Sequence, residues 1–323
     1  MFRRMILSSA PSLALLPRLA RADDSGGFQA FLSRVRGRAR ARGIPQSVID
    51  ETTNGLVPNA RVLQLDRHQP EFTLTWAQYS ARVLNAGRIA QGQAKAQSAS
   101  SLLAAVTSRS GVDSGPLLGI WGIETNYGTT QGDFDVIDAL ITLAWDRDST
   151  YFAGQAISAM RIVANGDAPA RKLIGSYAGA MGQPQFMPSV YLSTAVSFTG
   201  SGEPDIWNSD ADTLISLANY LARAGWRPDE PSSEPVQAAP GLDPGLTGRE
   251  NFQSLGFWLS RGVQRLPGAP ELDLNTQAAL LLPDGAGGEA FLVFPNFMVI
   301  RRYNASDYYA LAVGALGRMA LRA

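Results

Sequence analysis

A single glutamate, Glu124, stands inside the apolar run GIWGIETNYG at 119–128, and that placement restricts how the segment can fold. With Pro116 in a first turn capped at Asp113 or Ser114, helical spacing puts Leu117, Ile120, Trp121, Glu124 and Gly128 on one stripe. Glu124 is therefore expected on the buried face. Burial disfavours an ionised carboxylate, so a glutamate placed there keeps a proton to donate. The plainer reading is that an acid near a helix end is solvated or caps the helix, as charged side chains mostly do.

Composition removes several alternatives. The chain has 323 residues, 45% of them apolar and 17% charged, which suits a soluble globular protein of one or two compact units. It has no cysteine, which excludes disulfides, thiolate metal sites and cysteine nucleophiles. One histidine, His68, does not support a Ser-His-Asp hydrolase or a multi-histidine metal site, and a surface or partly packed side chain is the simpler reading.

The first 22 residues, MFRRMILSSAPSLALLPRLARA, have the form of a secretory signal. Arg3 and Arg4 lead an apolar stretch to Leu19, and Ala20-Arg21-Ala22 is a small-x-small cleavage site. The Arg3-Arg4 pair followed by Met5, Ile6 and Leu7 also suits twin-arginine export. Pro11, Pro17 and Arg18 leave too short an apolar run for a membrane anchor. Removal of residues 1–22 leaves 24 basic against 28 acidic residues, a mildly acidic protein for which nucleic acid is not an expected partner.

Helical periodicity dominates residues 23–227. Leu32, Val35 and Ala39 share one stripe, Leu102, Leu103 and Val106 another, and residues 136–164 and 210–225 continue in the same style. Residues 228–248 hold five prolines with little aliphatic periodicity and read as a linker or long loop. Residues 249–300 are expected to contain a helix and a β-hairpin, whose strands in AALLLPDGAGGEAFLVF at 278–294 flank the turn DGAGG. Residues 301–323 return to a helix with Tyr309, Ala312, Val313 and Leu316 on one stripe. The fold class is mainly α, with a small β-hairpin element.

Two further segments have the composition of a ligand site. In SYAGAMGQPQFMPSVY at 176–191, glycines and prolines bend the backbone around Ser176, Gln185 and Phe186. In RYNASDYY at 302–309, Tyr303, Asn304 and Tyr309 combine aromatic rings with an amide, a mixture suited to carbohydrate. Tight helix packing and core-edge tyrosines account for the same spacing.

GIWGIETNYG, SYAGAMGQPQFMPSVY, NYLARAGW at 219–226 and RRYNASDYYALAV occur in this order over about residues 28–320, and together they resemble the lytic murein transglycosylase B family. The resemblance implies a lysozyme-like helical catalytic region over residues 23–323 that acts on bacterial peptidoglycan glycan strands in the periplasm. It implies that Glu124 is the single catalytic acid. Glu124 would protonate the oxygen between N-acetylmuramic acid and N-acetylglucosamine, then act as base on the muramoyl C6 hydroxyl, which closes a 1,6-anhydro ring. It further implies that Ser176, Gln185, Phe186, Tyr303, Asn304 and Tyr309 face substrate, with Tyr79 in TWAQY a less secure match.

Two-carboxylate glycosidases flank the scissile bond with both acids, so a one-acid site fits an internal nucleophile. Asp133, Asp135 and Asp138 read as caps or loop charges, yet the sequence leaves one of them open as a second carboxylate. A hydrolytic muramidase and a catalytically silent peptidoglycan-binding scaffold therefore stand as alternatives.

Family members often carry an EF-hand-like calcium loop. Here SFTGSGEPDIWN at 197–208 places Ser197, Thr199, Ser201 and Asn208 at the expected ligand positions, without acids at the first and last of them, and leaves Glu203 and Asp205 as the remaining contributors. No cofactor or metal is expected, and calcium binding should be weak or absent. No wall-binding module is expected after the last helix, so localisation to the wall is expected to come from the cleft itself or from an envelope partner protein.

Overall fold

The computed structural model describes residues 25–67 and 74–322. The expected signal segment 1–22 and His68 lie outside the described residues. In chain order the path runs α1 (Ser25–Ala41), α2 (Gln46–Thr53), α3 (Ala60–Arg67), α4 (Trp76–Val83), α5 (Ala86–Ser98), α6 (Ser100–Ser110) and α7 (Ser114–Thr125). It continues through β1 (Phe134–Asp135), α8 (Val136–Asp146), α9 (Thr150–Asn165), β2 (Ile174–Gly175), α10 (Pro188–Thr194) and α11 (Asp210–Arg223). The last part comprises β3 (Ser233–Gln237), β4 (Gln253–Ser254), α12 (Leu255–Ser260), β5 (Gln264–Arg265), β6 (Gln277–Leu281), β7 (Ala290–Val293), α13 (Pro295–Tyr303) and α14 (Asp307–Leu321). No described helix is long and apolar enough to cross a membrane.

The chain divides into two compact units, and the division crosses α11. One contains residues 25–67 and 128–217; the other contains residues 74–127 and 218–322.

In the first unit, α8 is the central helix. Val136, Ile137, Ala139, Leu140, Ile141, Leu143 and Ala144 are buried around its circumference, the pattern of a helix enclosed on all sides. Helices α1, α2, α3 and α9 pack against it. Each fully buried Leu or Ile contributes about 1.5–3 kcal/mol relative to exposure. Asp135 starts α8 by accepting hydrogen bonds from the backbone N–H of Ile137 and Asp138, both at 2.9 Å. The expected helical stretch 136–164 is two helices, because the chain turns at residues 147–149 and Ser149 caps α9.

In the second unit, α14 has the central place: residues 309–317 are all buried, and α7, α5, α13, α4 and β3 pack around it. The sheet of this unit is antiparallel with order β4-β6-β7-β3-β5. Leu280 pairs with Leu292, and Glu234 pairs with the same Leu292 from the other side. Strand β7 is covered on both faces. Leu292 joins Val236, Trp258, Leu280 and Phe294 in one cluster, while Phe291 meets the Trp76 ring edge-on at 5.5 Å.

Two expectations change here. The stretch 228–248 read as a linker contains β3, which pairs with both β7 and β5, so the β element is a five-stranded sheet rather than a lone hairpin. Its sequence, SEPVQ, has no strong strand propensity, and the pairing is supplied by neighbours distant in the chain. The terminal stretch 301–323 holds the end of α13 and all of α14, separated at residues 304–306, where Ser306 caps α14.

Candidate active site

Glu124 is the only carboxylate in α7 and sits in its last turn. Leu117, Ile120 and Trp121 are fully buried as their stripe predicts, but Glu124 is half-buried. The helix ends at Thr125, with Asn126 and Tyr127 both in the left-handed region (φ 49° and 57°), so Gly128 is off the stripe. Left-handed residues other than glycine need outside support. Asn126 has it in a reciprocal amide pair with Gln91 of α5, in which Gln91 Nε2 donates to Asn126 O at 3.1 Å and Asn126 Nδ2 donates to Gln91 Oε1 at 2.7 Å. The Tyr127 ring lies where Gly92 of α5 and Gly122 of α7 leave room, since a Cβ on either glycine would come within 3 Å of it.

The expected cap is also different. Asp113 precedes α7 but makes no side-chain cap; it accepts instead from Trp226 Nε1 at 3.0 Å. Burial raises the Asp113 carboxyl above its ordinary value, and the Trp226 hydrogen bond opposes this.

Helix α14 crosses α7 antiparallel at very short range. A Cβ on Gly119 would meet Val313 O at 2.2 Å, and a Cβ on Gly317 would meet Gly115 O at 2.2 Å. This register brings Tyr309 opposite Glu124, and the Tyr309 hydroxyl donates to Glu124 Oε1 at 2.8 Å. Tyr309 is 4% exposed. Tyr303 lies parallel to it, with ring planes 7° apart and centroids at 6.4 Å, and Tyr220 meets Tyr303 edge-on at 5.0 Å. Asn304 serves the backbone, its Oδ1 accepting from Ser306 N at 3.1 Å.

Tyr79 joins the same electrostatic environment. Burial is the main cause that holds its phenol above the ordinary value; the negative charge of Glu124 adds to it and Arg88 opposes it. Arg88, buried on α5, is itself pushed down by burial, while the Tyr127 and Tyr79 hydroxyls counteract this. Tyr79 packs against Trp76 and Tyr308 with centroids at 6.3 and 5.8 Å. The start of α4 is held from the DGAGG turn, where Asp284 accepts from the backbone N–H of Trp76 at 2.6 Å and Ala77 at 3.2 Å.

Glu124, Tyr309, Tyr303, Asn304 and Tyr79 thus belong to the second unit. Ser176, Gln185 and Phe186 belong to the first. There Ser176 Oγ accepts from Ala180 N at 3.1 Å, and Gln185 Nε2 donates to Gln131 O at 3.0 Å and Gly182 O at 2.9 Å. Gln185, at φ 55°, is buried together with Phe186, so both support the bend of their loop.

The carboxylates left open by the sequence have structural partners in that unit. Asp133 pairs with Arg61 at 2.8 Å, Asp135 caps α8, and Asp138 accepts from Asn59 Nδ2 at 2.6 Å.

The loop 197–208 is internally bonded. Its hydroxyls bond inward, with Ser197 Oγ and Thr199 Oγ1 both donating to Ser201 O at 2.9 and 3.0 Å. Asp205 accepts from the backbone N–H of Trp207 and Asn208, both at 3.0 Å, and Asp212 accepts from Phe198 N at 2.8 Å. Burial opposes ionisation of Asp205, but the hydrogen bonds from Asn208 and Trp207 outweigh it and hold this carboxyl below its ordinary value. Among the described residues no three His, Cys, Asp or Glu side chains cluster as a metal site would require.

Sequence reasoning passed over Gln91, Arg88 and Tyr220. The one signal was that Tyr220 lies in the NYLARAGW motif; Gln91 and Arg88 stand in a polar helix with no distinguishing pattern.

Comparison with known proteins gives the family of the chain. The chain is 36% identical over 206 residues to Membrane-bound lytic murein transglycosylase B of Escherichia coli (strain K12), covering 62% of this chain and 55% of that protein. It therefore spans little more than half of that relative's length. The crystal structure of SltB3 from Pseudomonas aeruginosa in complex with NAG-anhNAM-pentapeptide superposes with a TM-score of 0.85 at 41% identity, over 90% of this chain and 78% of that one. The soluble lytic transglycosylase SltB1 from Pseudomonas aeruginosa gives 0.78 at 28% identity, over 91% of this chain and 98% of that one. The family model described as Transglycosylase SLT domain matches residues 27–318, and the chain belongs to that family.

Proposed function

We propose that this protein is a peptidoglycan lytic transglycosylase that cleaves the bond between N-acetylmuramic acid and N-acetylglucosamine without water. The observation that carries the reading is the buried Tyr309 hydroxyl held on a lone Glu124. The five helices α4, α5, α7, α13 and α14 contain two carboxylates, Glu124 and Asp307, and Asp307 is paired with Arg249 and Arg301. A site with one carboxylate beside Tyr309 suits a substrate that supplies its own nucleophile.

In this reading the Glu124 carboxyl gives its proton to the glycosidic oxygen as the C1–O bond breaks. The resulting carboxylate accepts the proton of the muramoyl C6 hydroxyl as that oxygen bonds to C1, which restores the acid and closes the 1,6-anhydro ring. Tyr309 orients the carboxyl oxygen, and Tyr303 and Tyr79 offer aromatic surface to sugar. The NAG-anhNAM-pentapeptide held by SltB3 supports this choice of substrate. Export to the periplasm through residues 1–22 is part of the proposal, as is the absence of a required metal.

The test is mass spectrometry of soluble fragments released from purified peptidoglycan, with Glu124→Gln in parallel. Fragments one water lighter than the hydrolysed disaccharide-peptide, lost in the variant, are the expected result. Fragments that retain the water would identify a muramidase, and binding without release would identify a scaffold.

A further inference from the structure

The elbow between α13 and α14 carries Tyr303, Asn304 and Tyr309, and one carboxylate at its apex is clamped from two directions. Asp307, the first residue of α14, accepts a hydrogen bond from Arg249 Nη1 at 2.9 Å on Oδ2, while Arg301 Nε lies 2.5 Å from Oδ1 as an ion pair without hydrogen-bond geometry. The side chains of Arg249, Arg301 and Asp307 are 35%, 17% and 22% exposed, so the three charges are partly removed from water. Arg301 belongs to the last turn of α13 and also donates from Nη2 to Ala305 O at 2.6 Å inside the elbow. Arg249 comes from the irregular chain between β3 and β4, more than fifty residues earlier.

An aspartate at a helix start is favourable by itself, because it faces the positive end of the helix dipole. That effect needs no arginine, and two arginines from separate elements add a geometric constraint. The glycine contacts of α7 and α14 set the separation of the two axes near residues 313–317. In the first turn of α14, where Tyr309 stands buried against Tyr303, the Ser306 cap at 3.3 Å and the Asp307 ion pairs add further constraints. We propose that Arg249 and Asp307 are positioning residues that act through Tyr309 on Glu124. The proposal rests on the transglycosylase reading above. Displacement of a catalytic group by about 1 Å costs on the order of a hundredfold in rate, so a partial loosening is enough to be measured.

The experiment is a double-mutant cycle on the full protein, with kcat and KM measured on soluble glycan strands and melting temperature followed for each variant. Asp307→Asn and Arg249→Met are each expected to lower kcat about tenfold with KM changed less than about twofold, and Arg249→Lys to recover part of the loss. In the Tyr309→Phe background the same substitutions should cost nothing further, because the group they position is gone. Full additivity in that background, or unchanged kcat in the single variants, overturns the proposal. Should Arg249→Met or Asp307→Asn fail to fold, Arg249→Lys carries the cycle with the same criteria. An inactive wild type would sink the transglycosylase reading and this proposal together, whereas an active wild type with additive losses sinks the proposal alone.

Discussion

The Tyr309 hydroxyl donates to Glu124 Oε1 at 2.8 Å because two helices meet through glycine, with Gly119 against Val313 and Gly115 against Gly317. A hydrogen bond to a charged group is worth about 1.5–3 kcal/mol, or about 10- to 100-fold in rate where it is needed in the transition state. Tyr309→Phe should therefore slow release of soluble fragments by about one to two orders of magnitude while circular dichroism stays native. Wild-type rates in this variant would remove Tyr309 from the site.

Glu124→Gln keeps the size of the side chain and an acceptor for Tyr309, and removes the proton donor. Loss of a general acid costs on the order of 10²–10⁴ in rate. Turnover should fall by that factor with the urea unfolding midpoint little changed. Retention of most activity would require another acid.

Gly119→Val tests the helix contact. Its Cβ would meet Val313 O at 2.2 Å and Val313 C at 2.9 Å, and backbone atoms cannot rotate aside. Overpacking of this kind costs about 1–3 kcal/mol, so the midpoint of urea unfolding should drop with the slope unchanged. A variant as stable as the wild type would show that α14 can shift freely, contrary to the packing described.

Calcium should not stabilise the protein. A ligand that binds the native state raises stability in proportion to the logarithm of its concentration over Kd, and Asp205 of loop 197–208 already accepts backbone N–H groups, as does the neighbouring Asp212. A titration followed by differential scanning fluorimetry should leave the melting temperature constant. A rise at low micromolar calcium would show that Ser197, Thr199 and Ser201 rearrange to bind it.

Asp138 gives a pH signature. Burial raises its carboxyl above the ordinary 3.8, and the Asn59 hydrogen bond only partly offsets this. The folded state therefore holds this proton more tightly than the unfolded state. The stability it contributes is fully present below the ordinary value and is lost as pH rises through the raised one. Asp138→Asn keeps an acceptor for Asn59 and cannot ionise, so its stability relative to wild type should improve from acid pH toward neutrality and then level off. Unfolding curves at several pH values check this, and a difference independent of pH would contradict it.

Much of the site was legible because its residues lie in continuous motifs. The unbroken apolar character of 115–123 specified a buried helix with Glu124 near its end, and RYNASDYY marked the elbow with Tyr303 and Tyr309. Other features were hidden for physical reasons. Strand β3 escaped notice because Pro235 and the polar Ser233, Glu234 and Gln237 carry little strand propensity, and β7 and β5 supply its pairing. Gly128 was placed on the α7 stripe because periodicity does not reveal a left-handed Asn126, which Gln91 stabilises from another helix.

What the sequence determined by itself was local: which segments are helical, which faces are apolar, and where one acid interrupts an apolar run. These follow from side-chain periodicity and chemistry within a few turns of chain. Only the tertiary structure decided that Tyr309 reaches Glu124 across 185 residues and that Arg249 reaches Asp307 across 58. The first pairing depends on how closely α7 and α14 approach, a distance set by glycines on the facing helices, and the second on the path of the chain between β3 and β4.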